Sequence, residues 1–212
     1  VHDASPSGDT HGASAQIAAA LHRDGICVCD EFLADAGLAA IAACAHARYA
    51  RGEFAAARIG ARSGLEGVPQ RCAEIRGDSI CWLGQPEFPA EVRLLAMLES
   101  LRLAINRESM LGLFDLELHY ARYPCGAHYD RHVDQPRAAA DRQVSLAIYL
   151  NADWQPAQGG ALRLFDADGG HRDVAPLGGR LVSFLTPGRE HAVLPAVRVR
   201  WSLSGWFRRR AA

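Results

Sequence analysis

From Leu113 onward the hydrophobic period of this chain changes from helical to two, and it stays at two almost to the last residue. Alternate side chains of an extended chain point to opposite faces. Phe114, Leu116, Leu118 and Tyr120, alternating with Asp115, Glu117 and His119, therefore predict a half-buried strand. Val144, Leu146, Ile148 and Leu150 form one face of the next strand, and Ser145, Ala147 and Tyr149 form the other. Gly159-Gly160 precedes a strand over Ala161 to Phe165, and Asp168-Gly169-Gly170 turns it back toward Arg172 to Val174. Leu181 to Leu185, His191 to Leu194 and Val197 to Phe207 complete at least six short strands with regular turns. Such a series makes a barrel or a sandwich.

The first half carries helical spacing instead: Leu38, Ile41, Ala45 and Tyr49 recur on one stripe, and Leu94, Leu98, Leu101 and Ile105 on another. Between these helices Ala55 to Gln70 is rich in Gly, Ala and Arg with little periodicity, too long for a simple connection, and it reads as a mobile flap. Val1 to Ala13, polar and small, reads as a flexible leader without the apolar run of a signal peptide. No Pro/Ser-rich linker or repeat divides the rest. The expectation is one α+β domain over 14–212, with helical support at 14–110 and a strand core at 111–208.

A formal charge of -1 supplies no field for nucleic acid, and the dense basic run Arg208-Arg209-Arg210 reads as a solvated tail. All 23 basic residues are arginine, a composition that resembles a GC-rich bacterial genome. Cys27, Cys29, Cys44, Cys72, Cys81 and Cys125 form no Cys-x-x-Cys pair and read as reduced thiols of a cytoplasmic protein. No apolar stretch reaches spanning length.

The chemistry concentrates in Tyr123-Pro-Cys-Gly-Ala-His-Tyr-Asp-Arg-His-Val-Asp134, which holds two His-x-Asp triplets, His128/Asp130 and His132/Asp134. Residues i and i+2 of an extended chain share a face, so either pair can offer an imidazole and a carboxylate to one ion, and spacing does not choose between them. A further imidazole completes the two-histidine, one-carboxylate set that leaves open positions on iron(II), and His191 is the best candidate. Nine residues on, Arg200 shares a strand face with Ser202, Ser204 and Trp206, opposite Val197, Val199, Trp201 and Leu203. An arginine on an inner barrel face needs an anion, and its planar fork suits a carboxylate. Without the histidines a core salt bridge or an outward-facing arginine would be the simpler reading.

These residues carry a resemblance. Tyr123-x-x-Gly126-x-x-Tyr129-x-x-His132-x-Asp134, then His191, then Arg200, resembles the prolyl 4-hydroxylase branch of the Fe(II)/2-oxoglutarate dioxygenases. Ile75-Arg-Gly-Asp-Ser-Ile-Cys-Trp82, Gly25 to Leu33, Ile148 to Trp154 and Gly159 to Phe165 resemble the oxygen-sensing hypoxia-inducible-factor prolyl hydroxylases and their bacterial relatives, over about residues 14 to 208. The resemblance implies a double-stranded β-helix, the jelly-roll or cupin-like core, with supporting helices outside one sheet. It selects His132, Asp134 and His191 as ligands of Fe(II), leaving His128 and Asp130 behind them or in solvent. It implies 2-oxoglutarate held by Arg200 and Tyr149 with Tyr123 nearby, O2 as cosubstrate, and ascorbate as a supporting reductant. Succinate and CO2 would accompany hydroxylation of a prolyl residue.

On the substrate side Tyr129 flanks the metal motif and Trp206, on the inner face with Arg200, is placed to wall the pocket against a proline ring, while the resemblance points to Asp78 and Arg142 pairing near the mouth of the site. It implies a monomer acting on a flexible prolyl loop of another protein, with elongation factor Tu the leading partner by analogy and no membrane or nucleic-acid partner. Relative to the animal enzymes the Tyr123-to-His132 interval is one residue shorter and the segment from Ala55 to Ala73 differs, which bears on substrate rather than chemistry. The competing readings are a sensing module without catalysis, a nucleic-acid demethylase, and a hydroxylase of a small molecule such as free proline.

Overall fold

The computed structural model describes residues 9–58, 74–135 and 140–210. Helix α1 (Asp9–Asp24), strand β1 (Ile26–Cys29), helix α2 (Asp35–Ala50), strands β2 (Ala55–Ala56) and β3 (Ser79–Trp82) and helix α3 (Pro89–Ser109) precede the strand-rich half. There follow β4 (Leu113–Tyr123), β5 (Tyr129–His132), β6 (Arg142–Tyr149), β7 (Leu162–Phe165), β8 (His171–Val174), β9 (Leu181–Leu185), β10 (His191–Val193) and β11 (Arg200–Arg209). They form two antiparallel sheets, a large one in the order β1-β9-β6-β11-β4-β3-β2 and a small one in the order β5-β10-β7-β8. This is the expected α+β double-stranded β-helix with helices on one side.

Two apolar layers follow from the alternation. Leu118, Tyr120, Val144, Leu146, Ile148, Leu203 and Phe207 point out of the large sheet and bury against Ile17, Leu21, Ile41, Leu94, Leu98, Leu101 and Ile105 of the helices. Ala121, Tyr123, Tyr149, Val182 and Phe184 point the other way and meet Leu162, Leu164 and Val193 of the small sheet. Strands β4, β6 and β9 of the large sheet are thus dividers with apolar contacts on both faces. The side chains of β4, β6 and β11 that point inward are the ones available to a site.

Helix α3 shows how the support is anchored. Pro89 occupies its first turn, and the Glu91 carboxylate accepts the backbone N–H groups of Glu87 (2.8 Å) and Phe88 (3.3 Å), capping the start. The same carboxylate, fully buried, receives the Arg48 fork from α2 at 2.8 and 3.0 Å and the Tyr120 hydroxyl from β4 at 2.9 Å. One acidic side chain therefore ties two helices and the large sheet together.

Several expectations need correction. Asp9 to Ala13, read as leader, belong to helix α1, because the helix packs on the sheet and propagates back through residues that carry no apolar signal of their own. The supporting half is not purely helical: β1, β2 and β3 extend the large sheet at its edges, strands too short to show a period. Phe114 and Tyr49 are exposed, whereas His119, on the face read as solvated, is buried between the sheets. Val197 lies before β11 and is exposed. Of the expected flap, Ala55–Ala56 forms β2 and residues 59–73 lie outside the described residues. No helix among the described residues is long and apolar enough to cross a membrane.

Candidate metal and cosubstrate site

Strands β5 and β10 lie side by side with His191 directly opposite His132, and the chain leaving β5 delivers Asp134 beside both. Nε2 of His132 is 3.5 Å from Asp134 Oδ1, and Nε2 of His191 is 3.4 Å from Oδ2. The three residues offer one ligand atom each, all within 4.8 Å of one another, and are the one such metal-capable group among the described residues. Both rings are oriented from behind: His132 Nδ1 lies 2.7 Å from the Asp130 carbonyl and His191 Nδ1 3.1 Å from the Arg189 carbonyl. A carbonyl only accepts, so Nδ1 carries the proton in each ring and Nε2 turns a lone pair toward the cluster.

The electrostatics favour the anion at Asp134 and the lone pair at His132. Burial alone would raise the Asp134 carboxyl, yet the His191 and His132 imidazoles hold it well below the usual carboxylate range. Burial pushes His132 down, favouring the neutral ring. Burial also works to lower His191, but the Asp134 carboxylate overrides it and raises the imidazole. The Ser145 hydroxyl donates to Asp134 Oδ2 at 2.8 Å and lies 3.0 Å from the Thr186 hydroxyl, so the carboxylate is fixed from β6 as well. Tyr129 stacks on His132 with ring centroids 3.5 Å apart. One anionic oxygen donor and two imidazole lone pairs fit a divalent first-row ion with open positions.

Arg200 stands on the inner face of β11 and is buried. Its Nε donates to the Gly160 carbonyl at 2.9 Å and its Nη1 lies 3.5 Å from the Ser202 hydroxyl. Among the described residues it forms no ion pair with a carboxylate. Tyr149 and Tyr123 flank it, ring centroids 5.0 and 5.2 Å from the guanidinium carbon, and the buried Tyr149 hydroxyl has no hydrogen-bond partner among the described residues. A Cβ on Gly160, at φ +71°, would come within 3.3 Å of the Arg200 side chain, so glycine keeps that approach open. A buried cation without an anion beside an unsatisfied hydroxyl fits the carboxylate of a ligand. Arg200, Tyr123, His132, Asp134 and His191 line one pocket together with Trp206.

The structure separates other expected residues. His128 and Asp130 face solvent, 3.3 Å from each other and outside the cluster. Asp78 and Arg142 do not pair. Asp78 is buried and receives the Arg76 fork at 2.7 and 3.0 Å, two residues away, where local geometry satisfies both oxygens. Arg142 reaches across β11 to bond Glu117 on β4 at 3.0 and 3.2 Å, also bonds the Asp134 carbonyl at 3.2 Å, and its guanidinium lies 3.5 Å from the centre of the Trp206 ring. The sequence reading missed Arg76, whose guanidinium lies 4.6 Å from the Tyr129 ring, along with His119, Ser145 and Thr186. Arg76 was visible inside the Ile75-Arg-Gly-Asp motif. The others gave only the alternation of their strands.

Comparison with known proteins places these features in context. The model of the 2OG-Fe(II) oxygenase superfamily matches residues 118–208. Human Egl nine homolog 1 is 30% identical over 199 residues, 90% of this chain and 45% of that protein. The chain thus spans about half the length of the curated relatives it matches. The crystal structure of a Pseudomonas putida prolyl-4-hydroxylase is similar at 42% identity and TM-score 0.81, covering 93% of this chain and 100% of that one. A Trichoplax adhaerens prolyl hydroxylase, solved with a hypoxia inducible factor oxygen degradation domain peptide fragment, is similar at 25% identity and TM-score 0.82, covering 94% and 90%.

Proposed function

This chain belongs to the prolyl hydroxylase family of the 2OG-Fe(II) oxygenase superfamily, and we propose that it is itself a 2-oxoglutarate-dependent dioxygenase that hydroxylates a prolyl residue, at the 4-position, in another protein. The observation that carries this reading is Arg200, a buried guanidinium with no carboxylate partner among the described residues, in one pocket with His132, Asp134 and His191.

In this reading His132, Asp134 and His191 hold Fe(II). Bound there, the metal supplies the coupling of O2-dependent C–H hydroxylation to oxidative decarboxylation of 2-oxoglutarate to succinate and CO2. The rest is positioning. Arg200 receives the distal carboxylate of 2-oxoglutarate in its fork, the Tyr149 hydroxyl donates to the same group, and Tyr123 walls the cosubstrate. Ser145 holds the Asp134 carboxylate in register while the Asp130 and Arg189 carbonyls fix the two imidazoles. Arg142, Trp206, Tyr129 and Asp78 serve the substrate side, Asp78 by fixing Arg76 over Tyr129. Ascorbate would keep the metal reduced between uncoupled cycles.

A protein substrate is supported by the Trichoplax neighbour, solved with a peptide fragment. By analogy the partner is a flexible prolyl loop of elongation factor Tu. The five described cysteines are free thiols, which supports a cytoplasmic setting, where a monomer reporting oxygen through hydroxylation would operate. The test is reconstitution with Fe(II) and 2-oxoglutarate, followed by mass analysis of elongation factor Tu for one added oxygen on a prolyl peptide. The modification should vanish with His132→Ala, Asp134→Ala or His191→Ala. Turnover of 2-oxoglutarate without oxidation of any prolyl peptide, in that protein or in lysate of a deletion strain, would overturn the assignment.

A further inference from the structure

Four buried side-chain atoms lack a hydrogen-bond partner among the described residues: His119 Nδ1, Tyr149 Oη, Ser183 Oγ and Trp206 Nε1. The proposed function uses the tyrosine. It leaves two ring nitrogens on side chains that line the same pocket, His119 on β4 and Trp206 on β11. In the β4–β11 register His119 faces Ser204 and Trp206 faces Glu117, so the two residues are diagonal neighbours, with ring centroids 5.6 Å apart. Trp82, half-exposed, lies 4.8 Å from the same imidazole. His119 is only 3% exposed. An unsatisfied buried polar atom is destabilising, and two at one pocket wall are accounted for when a ligand supplies their partners.

The chemistry of the pair defines that ligand. Burial, with Arg76 adding to it, pushes the His119 imidazole down to about 3, so the ring is neutral and offers one N–H and one lone pair. The indole of Trp206 only donates. In the tautomer with the proton on Nε2, His119 Nδ1 accepts, and the partner then presents an acceptor for the indole and a donor for the imidazole, side by side. A residue in an extended peptide does this, because its own N–H and C=O point to the same side. Proline has no N–H, so the seated residue is not the target itself.

We propose that His119 and Trp206 together seat the backbone N–H and C=O of a non-proline residue flanking the target prolyl, which makes His119 a specificity-determining residue of this chain. The inference rests on the prolyl-peptide reading above. It departs from a purely apolar wall for the proline ring, since it assigns the wall a hydrogen-bonding role toward the substrate main chain.

The experiment uses full-length protein with Fe(II), 2-oxoglutarate and a heptapeptide library of fixed central proline and random flanks, read by the mass gain of one oxygen. The best hydroxylated member is then resynthesised with single N-methyl groups on each flanking amide. With the wild-type protein, one N-methylation should lower kcat/KM about ten-fold, the loss of roughly one hydrogen bond. In His119→Leu that same N-methylation should cost nothing. His119→Asn keeps an acceptor near the Nδ1 position and should restore part of the penalty, so the comparison survives if the leucine variant folds poorly. An equal N-methyl penalty in wild type and both variants overturns the role of His119. Turnover of 2-oxoglutarate with no library member hydroxylated overturns the prolyl-peptide reading itself, and this inference with it.

Discussion

Ser145 donates its hydroxyl to Asp134 Oδ2 at 2.8 Å, so a strand in the large sheet fixes the carboxylate that two histidines of the small sheet approach. Removing that donor should loosen the metal without touching a ligand. Ser145→Ala is expected to weaken Fe(II) affinity about ten-fold, in line with groups that orient a ligand from behind. Titration of the anaerobic protein with Fe(II) measures it, and unchanged affinity would mean that Asp134 is held by the histidines alone.

The two His-x-Asp triplets are separated by metal content. His132→Ala, Asp134→Ala and His191→Ala should each abolish stoichiometric iron, whereas His128→Ala and Asp130→Ala should retain it, because the latter pair faces solvent away from the cluster. Iron analysis after desalting decides the matter; loss of iron with His128→Ala and retention with His132→Ala would reverse the assignment.

Arg200 and Tyr149 are expected to answer to the cosubstrate. Arg200→Lys keeps the charge but loses the fork, and 2-oxoglutarate affinity should fall at least about ten-fold at unchanged iron affinity. Tyr149→Phe removes a buried hydroxyl that has no partner among the described residues. The folded protein without cosubstrate should then lose no stability, while 2-oxoglutarate binds more weakly. Calorimetric titration beside a thermal melt reads both, and a destabilised variant with normal cosubstrate affinity would make the hydroxyl structural.

Arg142 touches both sides of the site, since it bonds the Asp134 carbonyl and covers Trp206. Arg142→Ala should reduce peptide hydroxylation about ten-fold more than uncoupled 2-oxoglutarate decarboxylation, because the indole it covers loses its orientation toward substrate. Equal losses in the two rates, measured on one preparation, would place its effect at the metal through Asp134 instead.

Stability should depend on pH through Glu91. Burial works to raise its carboxyl, but the Arg48 fork, the Glu87 and Phe88 N–H groups and the Tyr120 hydroxyl hold it below the ordinary value. A depressed folded-state value gives stabilisation that is present above the unfolded carboxyl range and lost as pH falls through the folded one. Glu91→Gln should cost about 3 kcal/mol at neutral pH by leaving Arg48 undercompensated, with the deficit shrinking in acid. Melting curves of both proteins across the acidic range test this; a constant difference would remove the titration from the account.

Alternation alone disclosed the core of this fold. Val144, Leu146, Ile148 and Leu150 had to share a face wherever the strand lay, and Leu94, Leu98, Leu101 and Ile105 had to share a stripe, because backbone geometry sets both periods. Arg200 was legible only in part: its parity put it opposite Leu203, and the histidines rather than the alternation marked its side as interior. The cluster of His132, Asp134 and His191 was legible only through a motif, since His128/Asp130 and His132/Asp134 have identical spacing and differ in where β5 ends and which of them meets β10. Pairing of strands distant in sequence decided everything else. It buried His119 on a face that one strand alone reads as solvated, gave Arg142 to Glu117 and brought Ser145 to Asp134, whereas Asp78 took the Arg76 fork from two residues away. Periodicity records which way a side chain points, and only the packing of one sheet over another determines what it meets there.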